Sequence, residues 1–403
     1  VKRRYESVIH EHFVDNRQML FLMGPRQVGK TTTARRSAVA FAHHSYLNWD
    51  NQRDRELVLR GPDAVAGHAG LDRLHEQPPL LVLDEIHRYG RWKTFLKGLF
   101  DSYPSVVRVL VTGSARLDVF KAGGDSLMGR YFPYRLHPLS VAELGDISPL
   151  EDPIIRAPKP IDDDAFEALL RFGGFPEPFL RQDERFFRRW RRLRSQQLFE
   201  EDLRDLTRIQ ELGQVQVLAE LLRRRAGQLT SYASLARAIN ASVDSVRRWL
   251  ATLERLYYCF AVRPWSRNVA RALRKEPKYF LWDWSPIDDP GARAENLVAC
   301  ALLKAVHFWT DHGLGEFALH FVRDKQKREV DFLVSRDDRA WFLVEVKRSG
   351  SAPLSASLAY FQAQTGAEHA FQVGLDLPYV ERDCFELSTP ITVPARTILA
   401  QLV

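Results

Sequence analysis

The chain is poor in cysteine and has no long apolar run. Three cysteines among 403 residues, Cys259, Cys300 and Cys384, leave one unpaired under any disulfide scheme and form no Cys-x-x-Cys pair. That excludes a disulfide scaffold and a thiolate metal site and leads us to expect a reducing, cytoplasmic setting. No stretch reaches the roughly 18 uninterrupted apolar residues of a membrane span. Val1-Lys2-Arg3-Arg4-Tyr5-Glu6 is not followed by the apolar segment of a signal peptide, so a soluble protein without a membrane partner is expected. Internal repeats and low-complexity tracts are missing too. With 45% hydrophobic and 27% charged residues the composition is globular. The length exceeds one ordinary core and suggests about two to four domains.

What is present begins with Gly24-Pro25-Arg26-Gln27-Val28-Gly29-Lys30-Thr31. The apolar run Met19–Met23 feeds into it and a helix-competent segment follows, the context of a phosphate-binding loop. Glycines let successive backbone N–H groups curl around phosphate oxygens, the helix N-terminus adds partial positive charge, and Lys30 reaches the β/γ-phosphates. Thr31 is placed to ligate Mg²⁺, with Thr32 beside it in the nucleotide-binding set. A second element supports the first: Leu80-Leu81-Val82-Leu83-Asp84-Glu85 is a continuous apolar strand ending in two carboxylates. Asp84 would hold the metal and Glu85 would polarise the attacking water as general base.

Between Met19 and about Leu139, strand-like runs at 19–23, 45–48, 80–84, 106–112 and 132–136 alternate with helical patterns, an α/β parallel sheet. The fourth run delivers Thr112 and Ser114 beside the γ-phosphate position. No Asn/Thr-Lys-x-Asp guanine reader is present, so ATP is expected rather than GTP. Pro149, Pro153, Pro158 and Pro160 with Asp162-Asp163-Asp164 suggest a linker, so the nucleotide domain is expected over 1–150 and a linker with helical segment over 151–212. The helical segment carries Arg188-Arg189-Trp190-Arg191-Arg192-Leu193-Arg194, which reads as a solvated helix face.

Between Gly213 and Lys275 there are twelve Arg/Lys against three Asp/Glu, more net positive charge than the +7 of the whole chain. The pattern matches a helix-turn-helix: a helix from about Ser231 to Ile239, a turn at Asn240-Ala241, and a second helix capped by Ser242. Val246, Trp249, Leu250, Leu253 and Leu256 fall at helical spacing and should face the core. Ser245, Arg247 and Arg248 are then the base-edge or phosphate candidates, with Arg255 also on the outer face. Tyr257 to Trp265 is expected to supply the strand pair of a wing, with Arg263 and Arg267 reaching backbone phosphates. This winged helix-turn-helix, 213–275, makes DNA the expected partner, a protein partner being the competing reading.

Residues 292–374 read as helix (292–306), strand (316–322), strand (329–335), strand (340–347), helix (354–365) and strand (369–373), within a last domain over 276–403. In this α-β-β-β-α-β order Glu345 and Lys347 share one strand face. An odd-length loop or a bulge at the 336–339 turn would set Asp331 opposite Glu345; an even loop would offset them by one residue. Like charges on adjacent strands need a cation between them, so Asp331 and Glu345 imply Mg²⁺ or Mn²⁺, and Glu295 on the preceding helix adds a carboxylate. Lys347 would position a water attacking a phosphodiester. Against this, Glu345-Val346-Lys347 also suits a solvated edge strand, and Glu329 is a plausible decoy.

These motifs occur in an order that resembles prokaryotic AAA-type ATPases whose C-terminal region is catalogued only as a domain of unknown function. Leu83-Asp84-Glu85-Ile86, Thr112-Gly113-Ser114, Gly129-Arg130, Pro138-Leu139-Ser140, Gly173-Gly174-Phe175-Pro176-Glu177, Glu329-Val330-Asp331-Phe332 and Glu345-Val346-Lys347 carry the likeness along with the loop at 24–31. The resemblance implies an N-terminal AAA+ ATPase domain, a winged helix, and a C-terminal fold like PD-(D/E)XK (restriction-endonuclease-like) nucleases. Asp331, Glu345 and Lys347 would match the acidic pair and lysine, and Glu295 the helix acid. It further implies an arginine acting on the γ-phosphate of a neighbouring subunit, Arg130 or Arg116, in a homo-oligomer. The expected function is an ATP-hydrolysing, DNA-associated protein whose nucleotide state controls a nuclease-like domain; the alternative is a non-nucleolytic switch.

Overall fold

A computed structural model describes residues 1–103, 106–114, 127–145, 154–203, 211–266 and 276–403. The candidates Arg116 and Arg267 lie outside the described residues. The chain divides into two compact units, the first running from Val1 to His137 and the second beginning at Pro138.

The first unit is built on five parallel strands: β1 (Met19–Met23), β2 (His44–Asn48), β3 (Leu80–Asp84), β4 (Arg108–Gly113) and β5 (Tyr131–Arg135), in the order β2-β3-β4-β1-β5. All residues of β1 and β3 are buried, which is why both read as unbroken apolar runs rather than alternating ones. The helix Trp92–Ser102 buries Trp92, Phe95, Leu96 and Leu99, one stripe at 3.6-residue spacing, in a core shared with Phe21, Leu81, Leu83 and Val111. Registers align Asp84 with Thr112 and Leu22 with Thr112, so β4 stands between the strand that feeds the glycine loop and the strand that ends in acids. The α/β parallel architecture read from the sequence is therefore present.

The second unit contains a seven-stranded mixed sheet of β6 (Cys259–Pro264), β7 (Lys278–Leu281), β8 (Phe317–Arg323), β9 (Glu329–Arg336), β10 (Arg339–Lys347), β11 (His369–Gly374) and β12 (Ile391–Pro394), in the order β12-β11-β10-β9-β8-β6-β7. The helix Pro290–Asp311 packs on β7, β8, β9 and β10. Its Lys304 is buried in an ion pair with buried Glu143 and donates to Ser140 Oγ (2.9 Å), while Ser140 Oγ donates to the carbonyl of Val403 (2.7 Å). The segment after Pro138 is thereby fastened into the second unit.

The helix-turn-helix pattern takes shape as helices Tyr232–Ala238 and Val243–Arg255, capped by Ser231 and Ser242, with Asn240 in the left-handed region between them (φ 50°). Val246, Trp249, Leu250, Leu253 and Leu256 are buried as their spacing requires. The wing is corrected. Tyr257 to Trp265 supplies one strand, not a pair: β6 takes β7 as its antiparallel partner and gives its other edge to β8, Arg263 pairing with His320. A strand with Cys259, Phe260 and Val262 buried gains more from two neighbours than from an exposed hairpin.

Candidate functional site

Gly24 leaves β1 against β5's exit: a Cβ there would lie 2.3 Å from the carbonyl oxygen of Leu136, so only glycine fits. The loop then turns through Gln27 (φ 62°) and Gly29 (φ 102°) into the helix Lys30–Ala38. Lys30 is 6% exposed, and its Nζ donates to the carbonyls of Gly24 (2.9 Å) and Pro25 (2.7 Å), which lays the ammonium across the loop. Val28 is buried, Arg26 half-buried and Gln27 exposed, while Thr31 and Thr32 are exposed on the first helical turn.

The tips of β3 and β4 meet this turn. Thr31 Oγ1 donates to Asp84 Oδ2 (2.9 Å), Thr112 Oγ1 donates to Asp84 Oδ1, and Tyr46 OH donates to Asp84 Oδ2. Three hydroxyls from three elements thus converge on a carboxylate only 2% exposed. Tyr46 escaped the sequence reading because a tyrosine in a strand is ordinary; burial and the Asp84 hydrogen bond hold its phenol well above the usual value, and the Arg35 guanidinium lies 4.3 Å from its ring centroid. Glu85 follows in the left-handed region (φ 57°), and its N–H donates to the carbonyl of Thr112 (3.1 Å). Its carboxylate lies 3.5 Å from His87 Nε2 and 3.8 Å from Arg88 Nε. Burial raises its pKa, partly opposed by Lys30. That shift moves a carboxylate toward the range useful to a general base. Ser114 is half-buried just past β4. Arg130 is held by Asp101 through two hydrogen bonds, Nε to Oδ1 (2.9 Å) and Nη2 to Oδ2 (3.0 Å).

The chemistry of this donor set fits Mg²⁺ in a nucleotide complex. A hydroxyl and a carboxylate are hard oxygen ligands, and such an ion takes its remaining ligands from phosphate and water. Accordingly, no all-protein cage is needed, and none of three or more His, Cys, Asp or Glu side chains occurs among the described residues.

The second constellation sits at the ends of β7, β9 and β10. Two residues of positive φ, Asp337 (48°) and Asp338 (61°), form the turn between β9 and β10, and a bulge at Trp341 then shifts the register. Beyond it Phe332 pairs with Val344, which sets Asp331 level with Glu345, and Asp331 Oδ2 accepts from the N–H of Val346 (2.9 Å). Lys347 Nζ donates to Glu345 Oε1 (2.8 Å). Glu295 packs against Gly227, whose added Cβ would lie 3.0 Å from its carboxylate.

Mg²⁺ or Mn²⁺ was expected to join Glu295, Asp331 and Glu345. Beside the first two of these acids stands a side-chain cation. Lys278, 3% exposed at the start of β7, lies 2.7 Å from Glu329 Oε1, 3.5 Å from Glu295 Oε1 and 3.7 Å from Asp331 Oδ1. Burial favours its neutral amine, but the three acids outweigh burial and raise its pKa. Glu329 also takes Arg323 Nη1 at 2.6 Å. Burial pushes Glu295 up to about 8 and raises Asp331 and Glu345. Lys278 was overlooked because a single lysine opening an aromatic strand carries no motif; Glu329, the plausible decoy, is paired with Lys278 and Arg323.

Of the nucleic-acid candidates, Arg247, Arg248 and Arg255 are exposed on the second helix, Ser245 is partly exposed beside the Ser242 cap, and Arg263 is half-buried in β6. Arg248 Nη2 donates to Ser245 Oγ (3.2 Å), and Arg247 lies 3.6 Å from Asp244.

Residues 16–145 match the family model of an AAA domain, 163–287 that of a domain of unknown function (DUF8612), and 290–382 that of a second domain of unknown function (DUF4143). The N-terminal region is thus of the AAA type. The uncharacterized proteins Mb2031c of Mycobacterium bovis and Rv2008c of Mycobacterium tuberculosis are each 25% identical to this chain over 413 residues, covering 99% of it and 85% of their own length. Among solved structures, the Walker-type ATPase PABY2304 of Pyrococcus abyssi overlaps 74% of this chain and 96% of its own at 16% identity and a TM-score of 0.41. The Aeropyrum pernix ORC1 protein, solved in complex with DNA, overlaps 73% and 91% at 16% identity and a TM-score of 0.30. No described helix is long and apolar enough to cross a membrane.

Proposed function

We propose that this protein binds and hydrolyses ATP and that its nucleotide state governs the engagement of DNA by the second unit. The observation that carries the ATPase reading is that Thr31 and Thr112 bond Asp84 at the tips of three adjacent parallel strands, while Glu85 beside it feels the charge of Lys30. Lys30 would exchange its two loop carbonyls for phosphate oxygens, so that the loop is held in shape by the same ammonium that binds the ligand. Thr31 and Asp84 are the residues to hold Mg²⁺, which when bound neutralises phosphate charge. Glu85 would take a proton from the attacking water as that water's oxygen bonds to the γ-phosphorus and the bond to the ADP oxygen breaks, leaving ADP and phosphate. Thr112, bonded to Asp84 from the intervening strand, is placed to relay the state of the phosphates.

The paired test is Lys30→Ala and Glu85→Gln. Lys30→Ala should lose nucleotide binding while staying folded. Glu85→Gln should retain binding and lose turnover by about 10²-fold or more. Unchanged ATP affinity in the first variant refutes the assignment.

For DNA, the supporting features are the exposed arginines of the helix capped by Ser242 and the surplus of positive charge between residues 213 and 275. A Mg²⁺-dependent nuclease is the second reading, favoured by Asp331 standing level with Glu345 and by Lys347 beside them. Lys278 among the acids favours the non-nucleolytic switch. Metal-dependent cleavage of linear, nicked or branched DNA that Asp331→Ala abolishes and Lys30→Ala does not would reverse that preference.

A further inference from the structure

We infer that Lys278 is a built-in counter-cation that competes with a divalent metal for Glu295 and Asp331, so that the acidic site they form with Glu345 stays metal-free while its ammonium is in place. The inference does not depend on the nucleotide reading of the first unit.

Among the described residues, four carboxylates, Glu295, Glu329, Asp331 and Glu345, face three side-chain cations, Lys278, Arg323 and Lys347. Of these cations Lys278 lies within 4.0 Å of three of the acids, Glu295 and Asp331 among them. Divalent ions of this class need hard oxygens at about 2.0–2.6 Å, and a buried ammonium beside the same oxygens both occupies them and repels the incoming charge. The strand that carries the lysine is held on both sides. Its own residue pairs with Val262 of β6, and the neighbouring segment bonds to its strand on the other side, Gly227 N–H to the carbonyl of Tyr279 (2.9 Å) and Thr230 N–H to that of Pro277 (2.9 Å). Phe321 closes the site, with its ring centroid 5.6 Å from the Lys278 Nζ.

One acceptor in the cluster has no partner among the described residues. Glu345 is 9% exposed, and its Oε2 is buried without a hydrogen bond. A buried carboxylate oxygen in that condition is costly and marks where a further cation would gain most. Removing the Lys278 charge would leave these acids with two side-chain cations in place of three, a change that favours uptake of a divalent ion.

The test is Mn²⁺ binding to the full chain without nucleotide, read by loss of the free-ion electron paramagnetic resonance signal. Lys278→Met should bind one Mn²⁺ at least about tenfold more tightly than the unaltered protein, the size of effect that neighbours of a metal site commonly exert. Adding Asp331→Asn should abolish the gain, which separates this ion from any held at Thr31 and Asp84. Lys278→Gln, which keeps hydrogen-bond donors without the charge, gives the same reading if the methionine variant does not fold. Tight Mn²⁺ binding by the unaltered protein that Asp331→Asn removes would overturn the inference. So would Lys278 variants that melt normally yet gain no ion.

Discussion

Asp84 receives hydroxyl donors from Tyr46, Thr31 and Thr112, and these differ in what they are for. Thr31 sits on the exposed first turn of the loop helix and is able to exchange Asp84 for a ligand, whereas Tyr46 is anchored in β2 and serves to hold the carboxylate. Tyr46→Phe should therefore cost about 1.5–3 kcal/mol of stability, as expected for a hydrogen bond to a charged group, while changing ATP affinity by less than about threefold. Thermal melts with and without nucleotide check this, and an unchanged melting temperature would show that the bond carries no weight. Lys30, Thr31, Asp84 and Thr112 were legible because phosphate chemistry demands those types at those spacings. Tyr46 and Lys278 were not, since each acts through tertiary neighbours and neither belongs to a local pattern. The need for positive charge beside Asp331 and Glu345 was legible from charge alone; that Lys278 stands beside Asp331 was not.

At the scale of elements, caps and periodicity were dependable guides. Ser231 and Ser242 set both helix starts, and the five apolar positions of the second helix are all buried. The outer face of that helix yields a prediction: Arg247→Glu with Arg248→Glu should weaken DNA binding roughly uniformly across sequences and lower the salt slope by about two, one for each phosphate left without its arginine. Titrations at several ionic strengths read this directly, and a slope equal to that of the unaltered protein would remove the helix from the interface. The strands of the C-terminal sheet also fell close to their expected spans, because each carries its own apolar run. The level placement of Asp331 and Glu345 needed the structure. An even, two-residue turn would have offset them, and the bulge at Trp341 restores the match. The partner of β6 was hidden for a different reason: it lies beyond residue 276, and no local signal reports which edge a strand will join.

Across the whole molecule, several histidines are held neutral by burial. His12 and His320 are lowered, and His312, stacked on Phe308, is lowered from 6.5 to about 4. The unfolded chain takes up a proton near 6.5 that folded His312 refuses until about 4, so its contribution to stability is whole above 6.5 and is lost as pH falls through that window. The loss has an upper slope of about 1.4 kcal/mol per pH unit. Raised carboxyls such as Glu85 act in the opposite sense, so the difference between the unaltered protein and His312→Gln isolates the histidine. Urea unfolding from pH 7 to 4.5 should show the variant losing less stability; parallel profiles would exclude the effect.

The fastening of Glu143 onto Lys304 has a practical corollary for anyone wishing to express the halves separately. A cut in the proline-rich stretch near residue 150 would strand the ammonium of Lys304 in a dry interior and leave Glu143 dangling from the other piece, a mutilation of about 3–5 kcal/mol. Severing the chain between His137 and Pro138 keeps both charges on one fragment.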